Sequence, residues 1–195
     1  MVALFQPTNN LGFLSQHGST IGDVAAVVIT LIGDDQAGLV DAVAEIVTAH
    51  GANWDRSHLA ELAGKFAGIV LVTVPDANAD SLIVDLDALE AQGLLAITAE
   101  RSALQSATSG ASHVTLELVG QDHPGIVHEI SSVLATQGVS IDELETTVAP
   151  APQGGSLFIA HAVLELPAGL DIDVLNDSLE AVAHDLMVDL DLITE

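Results

Sequence analysis

The sequence predicts an α+β fold made twice, as two β-α-β-β-α-β units in tandem, each an antiparallel sheet with its helices on one face. The first observation behind this is a repeated loop. Gly33-Asp34-Asp35-Gln36-Ala37-Gly38-Leu39-Val40 and Gly120-Gln121-Asp122-His123-Pro124-Gly125-Ile126-Val127 stand 87 positions apart, and Asp35/Asp122 and Gly38/Gly125 keep that interval. The second is the stripe that follows: Leu39/Ile126, Val40/Val127, Val43/Ile130, Ile46/Val133 and Val47/Leu134 step i, i+1, i+4, i+7, i+8, one buried face of an amphipathic helix. The third is composition. A chain of 195 residues, 49% apolar but only 3% aromatic, has material for two small aliphatic cores. One interval held over so many positions of like type marks an internal duplication.

Residues 1–22 read as an N-terminal arm, apolar at Leu4, Phe5, Leu11, Phe13 and Leu14 without periodicity and broken by Pro7 and Gly12. The arm is either a mobile leader or a cover for an exposed sheet face. Unit one spans 23–101. Val27, Ile29 and Leu31 alternate as a strand, and the helix after the loop runs to His50, with Gly51 placed for a left-handed C-terminal cap. Asn53–Leu62 and Phe66–Val74 form a strand pair turned at Ala63-Gly64. Asn78–Gln92 is a helix with Leu82, Ile83, Leu86 and Leu89 on one side, and Leu94–Glu100 is the last strand. Residues 102–112, small and polar, read as a linker.

Unit two, 113–195, repeats the order. Val114, Leu116 and Leu118 face inward, and Pro124 suits the first turn of the next helix. Gly138 takes the place of Gly51, a hairpin carries the longer loop Ala149–Gly155, Asp171–Leu186 is helical, and Val188, Leu190 and Leu192 alternate to the end. Each unit is thus the split βαβ pattern of ferredoxin-like folds. In unit one the sheet is apolar on its second face as well, because Val28 and Ile32 point away from the helices if Val27 and Ile29 point in. That predicts packing against the arm, the other unit or a second chain, and a homodimer is expected.

Three Lys+Arg against 28 Asp+Glu give a net charge of −25, and Arg56, Lys65 and Arg101 all lie in unit one. Such a field repels phosphate backbones, so no direct nucleic-acid binding is expected. The acids interleave with apolar positions and read as solvated faces. There is no cysteine, hence no disulfide, thiol nucleophile or thiolate metal site. No apolar run approaches a membrane span and no charge precedes Asp23, so a cytoplasmic protein without membrane contact is expected.

The chemistry is expected at the two strand–helix loops. A helix N-terminus offers unpaired N–H groups and partial positive charge to a carboxylate. Gly38 and Gly125 remove side chains where a ligand would approach, and Asp35 and Asp122 add negative charge beside the positive end. Asp55 and Asp142, also 87 apart, begin the next strand and are expected nearby. The combination suits a zwitterion, that is, a small free amino acid. The plainer alternative is that Asp35 and Asp122 cap their helices. The loops are too short for a P-loop and no Lys follows them.

Enzymatic readings fare poorly: G-x-S-x-G and H-E-x-x-H are absent, and Glu143 and Glu145 share a strand face without an apolar pocket. His123 and His128, five apart, do not align as metal ligands on a helix, so no metal and no cofactor is expected.

The G-x-D-x-(P)-G loop inside a βαββαβ unit, present twice, resembles the ACT domain family. Gly120–Val127, Gly138-Val139-Ser140-Ile141, Leu144-Glu145-Thr146, Ala149-Pro150-Ala151-Pro152, Leu166–Asp171 and Leu186–Leu190 resemble, more closely, the tandem-ACT glycine cleavage system transcriptional repressor group. The resemblance covers residues 24–193. Ala37 stands where the family has Pro, which favours the second loop as sensor, although Asn53 adds a polar group in unit one. The resemblance implies a non-catalytic sensor of glycine or a similar amino acid. Its ligand-binding positions are Asp35, Gly38, Asn53, Asp55, Asp122, His123, Gly125 and Asp142. It also implies control of transcription by contact with a protein, a LysR-type activator, in place of DNA. The alternative is a regulatory subunit of an amino-acid metabolic enzyme. On this reading Gly125→Val should abolish the ligand response and spare the fold.

Overall fold

A computed structural model describes residues 23–91, 93–103, 112–152 and 154–194. The arm and residues 104–111 of the linker lie outside the described residues. The chain divides between residues 105 and 106 into two compact units.

In the first unit β1 (Val24–Asp34), α1 (Leu39–Ala49), β2 (Asn53–Leu62), β3 (Lys65–Pro75), α2 (Asp76–Glu90) and β4 (Ala96–Ser102) follow the expected order. The strands lie β2-β3-β1-β4, every neighbour antiparallel. The second unit repeats this with β5 (Ser112–Gln121), α3 (Ile126–Thr136), β6 (Ser140–Pro150), β7 (Ser156–Leu166), α4 (Ile172–Leu186) and β8 (Val188–Thr194), ordered β6-β7-β5-β8. Ferredoxin-like topology is therefore present twice. Ser102 and Ser112 belong to β4 and β5, so the stretch between strands is shorter than the composition suggested.

Period-2 patterning places each core. Val27, Ile29 and Leu31 of β1 and Val70, Val72 and Val74 of β3 are buried with Val43, Val47, Leu82 and Leu86 of the helices. Leu116, Leu118, Leu164, Ile130, Leu134, Leu175 and Leu179 make the second core. On the far face of the first sheet Val28 is half-buried and pairs with Leu71, whereas Ile32 and Ile69 are 52% and 45% exposed.

Two boundaries differ from expectation. Helix α2 begins at Asp76, directly after Pro75, where Arg101 donates hydrogen bonds to Asp76 and Asp80 across the start of the helix. Pro124 precedes the N-cap and is not in the first turn of α3, which starts at Ile126. No helix among the described residues is long and apolar enough to cross a membrane.

The strand–helix loops as a candidate functional site

The loops after β1 and β5 are held by the same pair of constraints. The N–H of Asp35 donates to the carbonyl of Gly64 at 2.9 Å, and that of Asp122 to Ser156 at 2.9 Å, so each loop is tied to the start of the neighbouring strand. Gly38 and Gly125 then take up φ 98° and 106° as N-caps, turning the chain into α1 and α3. The first intrahelical bonds are Ala42 N–H to Gly38 and Glu129 N–H to Gly125, both 3.0 Å, which leaves the N–H groups of the first turn pointing out of the helix end.

Neither helix has a side-chain cap. Asp35 and Asp122 are exposed acids close to an uncapped positive helix end, so helix capping does not explain them. By contrast α4 is capped conventionally, Asp171 accepting from the N–H of Asp173 at 3.0 Å. In unit one an open hollow of about 480 Å³ lies at the loop, lined by Asp35, Gln36, Gly38, Leu39, Val40, Asp41, Ala44 and Phe66. It sets two carboxylates beside the helix N-terminus, a charge pattern that fits an ammonium and a carboxylate on one small molecule.

The two glycines of each motif serve different ends. A Cβ on Gly38 or Gly125 would meet nothing within 4 Å, so these positions need glycine for the positive φ and not for space. A Cβ on Gly33 would lie 2.5 Å from the carbonyl oxygen of Leu94, and one on Gly120 would lie 2.3 Å from Cγ1 of Val188. Gly33 thus lets the chain entering β4 close against β1, and Gly120 lets the start of β8 close against β5.

Asn53 and Asp55 are not beside the first loop, nor Asp142 beside the second. Asp34 pairs with Lys65 at one end of β3, whereas Asn53 pairs with Thr73 at the other, eight residues or about 26 Å along the strand. Unit two has the same separation, with Gln121 opposite Leu157 and Ser140 opposite Glu165. Helix α1 or α3 carries the chain back across the sheet before the next strand starts, so these acids sit at the far end of their own unit. Both occupy a β-bulge, between Trp54 and Arg56 and between Ile141 and Glu143. Asp55 accepts hydrogen bonds from Asn53 and Thr73; Asp142 lies 3.2 Å from Nε2 of His113.

His123 anchors its loop. Its Nδ1 is 3.1 Å from the carbonyl of Pro124 and its Nε2 is 3.0 Å from that of Leu186, the last residue of α4. Both ring nitrogens face carbonyl acceptors, so only the imidazolium satisfies both, and neither is left for a ligand. The bond to Leu186 above all, then that to Pro124, raises the His123 pKa from its ordinary 6.5; desolvation opposes them and the charge of Asp122 adds a lesser raise. A raised folded-state pKa means that this stabilisation is fully present below the unfolded value and is lost as pH rises through the folded one. Wild-type melting temperature should therefore fall more than that of His123→Ala between about pH 5.5 and about pH 8.5. Equal falls would show that the two bonds do not depend on the proton.

Residues 25–99 match the sequence profile described as ACT domain, and residues 114–180 match a second ACT domain profile. No curated protein sequence matches the chain significantly. Among solved structures, a protein of unknown function from Galdieria sulphuraria is similar at 30% identity and TM-score 0.78, over 89% of this chain and 99% of that one. A protein provisionally assigned as a glycine cleavage system transcriptional repressor is similar at 19% identity and TM-score 0.62, over 88% and 99%, a likeness of fold.

Proposed function

The chain belongs to the ACT domain family, and from that premise we propose that it is a non-catalytic regulatory protein that senses a small amino acid at its strand–helix loops. The observation that carries this reading is the uncapped helix end with a free acid beside it, built the same way in both units. The carboxylate of the ligand takes the N–H groups of the first helical turn; its ammonium takes Asp35 or Asp122. Unit one supplies the open hollow, with Asp41 as a further acid. Within their own unit Asn53, Asp55 and Asp142 stand apart from the loop, so they would join a loop site only when a second chain brings them there, which is where an expected homodimer enters the reading.

The finer reading rests on the sequence resemblance to glycine cleavage repressors. Glycine is then the ligand, and a LysR-type activator is the partner. A net charge of −25 favours a basic protein surface over DNA as the docking target, with an encounter that salt weakens. Titration calorimetry with glycine, serine and branched-chain amino acids tests the sensor. Asp35→Asn should weaken binding in unit one about 10-fold, the loss of one charge-assisted hydrogen bond worth about 1.5 kcal/mol. No heat from any of these amino acids at millimolar concentration would rule out the ligand. A pull-down of the activator with and without glycine tests the partner separately.

A further inference from the structure

We propose that the second unit carries a site for a divalent first-row transition cation, formed by His113, Asp142 and Glu165 at the end of the sheet remote from the strand–helix loop. The three residues come from adjacent strands. His113 near the start of β5 pairs across the ladder with Glu165 near the end of β7. Asp142 is the extra residue of the β6 bulge, which breaks the alternation and sets its carboxylate beside that pair. Nε2 of His113 and Oδ2 of Asp142 are 3.2 Å apart, and one ligand atom from each of the three residues lies within 4.8 Å of the others. Two ligands at about 2.1 Å from a tetrahedral metal are about 3.4 Å apart, so the cluster needs side-chain adjustment only.

The donor set selects the ion. Two carboxylates balance a +2 charge, and one imidazole favours zinc-like cations over magnesium or calcium, which prefer all-oxygen shells. Three protein ligands leave the remaining positions to water. His113 and Asp142 are exposed and Glu165 is half-buried, so an ion can reach the cluster from solvent. The protein's strong negative charge raises the local concentration of cations.

The duplication supplies an internal comparison. Unit one has the same bulge and the same acid, Asp55, but the pair facing it is Ala26 and Thr73. Thr73 donates to Asp55, and the Ala26 side chain has no atom that could hold a metal. The frame is common to both units, whereas the imidazole and the second carboxylate belong to unit two alone.

The test uses the full chain stripped of metal with a chelator and titrated with Co²⁺, read by visible absorption, then with Zn²⁺ by calorimetry. One saturable ion per chain is expected. His113→Ala, Asp142→Asn and Glu165→Gln should each weaken it at least about 10-fold, the loss that even an outer partner of a metal ligand brings. His161→Ala should leave it unchanged. Circular dichroism and melting without metal establish that each variant is folded. Three results would each overturn the proposal: no saturable uptake, uptake undiminished in folded His113→Ala or Glu165→Gln, or competition by Ca²⁺ at equal concentration.

Discussion

Gly120→Val is expected to destabilise the second unit by about 3 kcal/mol, the upper part of the range for overpacking a closed core. In a unit of this size that corresponds to a fall of roughly 15 °C in melting temperature. Gly120 pairs with Val188, the first residue of β8, and a Cβ there would come within 2.3 Å of Cγ1, 2.7 Å of Cβ and 2.8 Å of Cα of that residue. The Cγ1 contact alone could be relieved by rotation; the contact with Cα cannot. Strand β8 must shift outward, and Leu190 and Leu192, packed against the core along the same strand, shift with it. Hydrogen exchange should report lost protection in residues 112–194 with unit one unchanged. Gly33→Val should do the reverse, because its Cβ would strike the Leu94 carbonyl oxygen at 2.5 Å. A Gly120→Val chain that melts with wild type would show that the last strand does not press on this position.

The shared interval of 87 made the duplication, the element order and both loops legible, because it compares one unit with the other. It carries no information about what lies near what inside a unit. Asp55 and Asp142 were legible as equivalent acids for this reason, while their distance from the loops was not: that depends on the helix returning the chain across the sheet. The bulges that position both acids break strand alternation by one residue, and a lone Asp between an apolar and a charged neighbour gives no signal of that. His113 and Glu165 give no joint signal in the sequence for a related reason. Ligand spacing is legible along a single element, whereas these two are 52 positions apart and meet only through the β5–β7 register. The hairpin loops differ in length, so residues beyond them leave the 87 interval, and the correspondence of Glu165 with Thr73 emerges only from their pairing with His113 and Ala26.

The loop glycines were legible as glycines of the motif, but their cause was not. Sequence alone suggested that a side chain at Gly125 would block a ligand and spare the fold. The structure places no atom within 4 Å of such a Cβ and gives the residue φ 106°, so the cost falls first on the backbone. A left-handed conformation costs an L-residue about 1–2 kcal/mol, and a β-branched one more. Gly125→Val should therefore destabilise the second unit by about 2 kcal/mol, or roughly 10 °C in melting temperature. Asn tolerates this region better, so Gly125→Asn should cost less. The pair separates two roles for the residue. Once stability is matched by lowering the temperature, a loop that senses an amino acid should lose affinity in both variants, since each fills part of the open space in front of the loop with a side chain. If calorimetry then gives the two variants wild-type affinity, Gly125 shapes the turn into α3 and takes no part in holding a ligand.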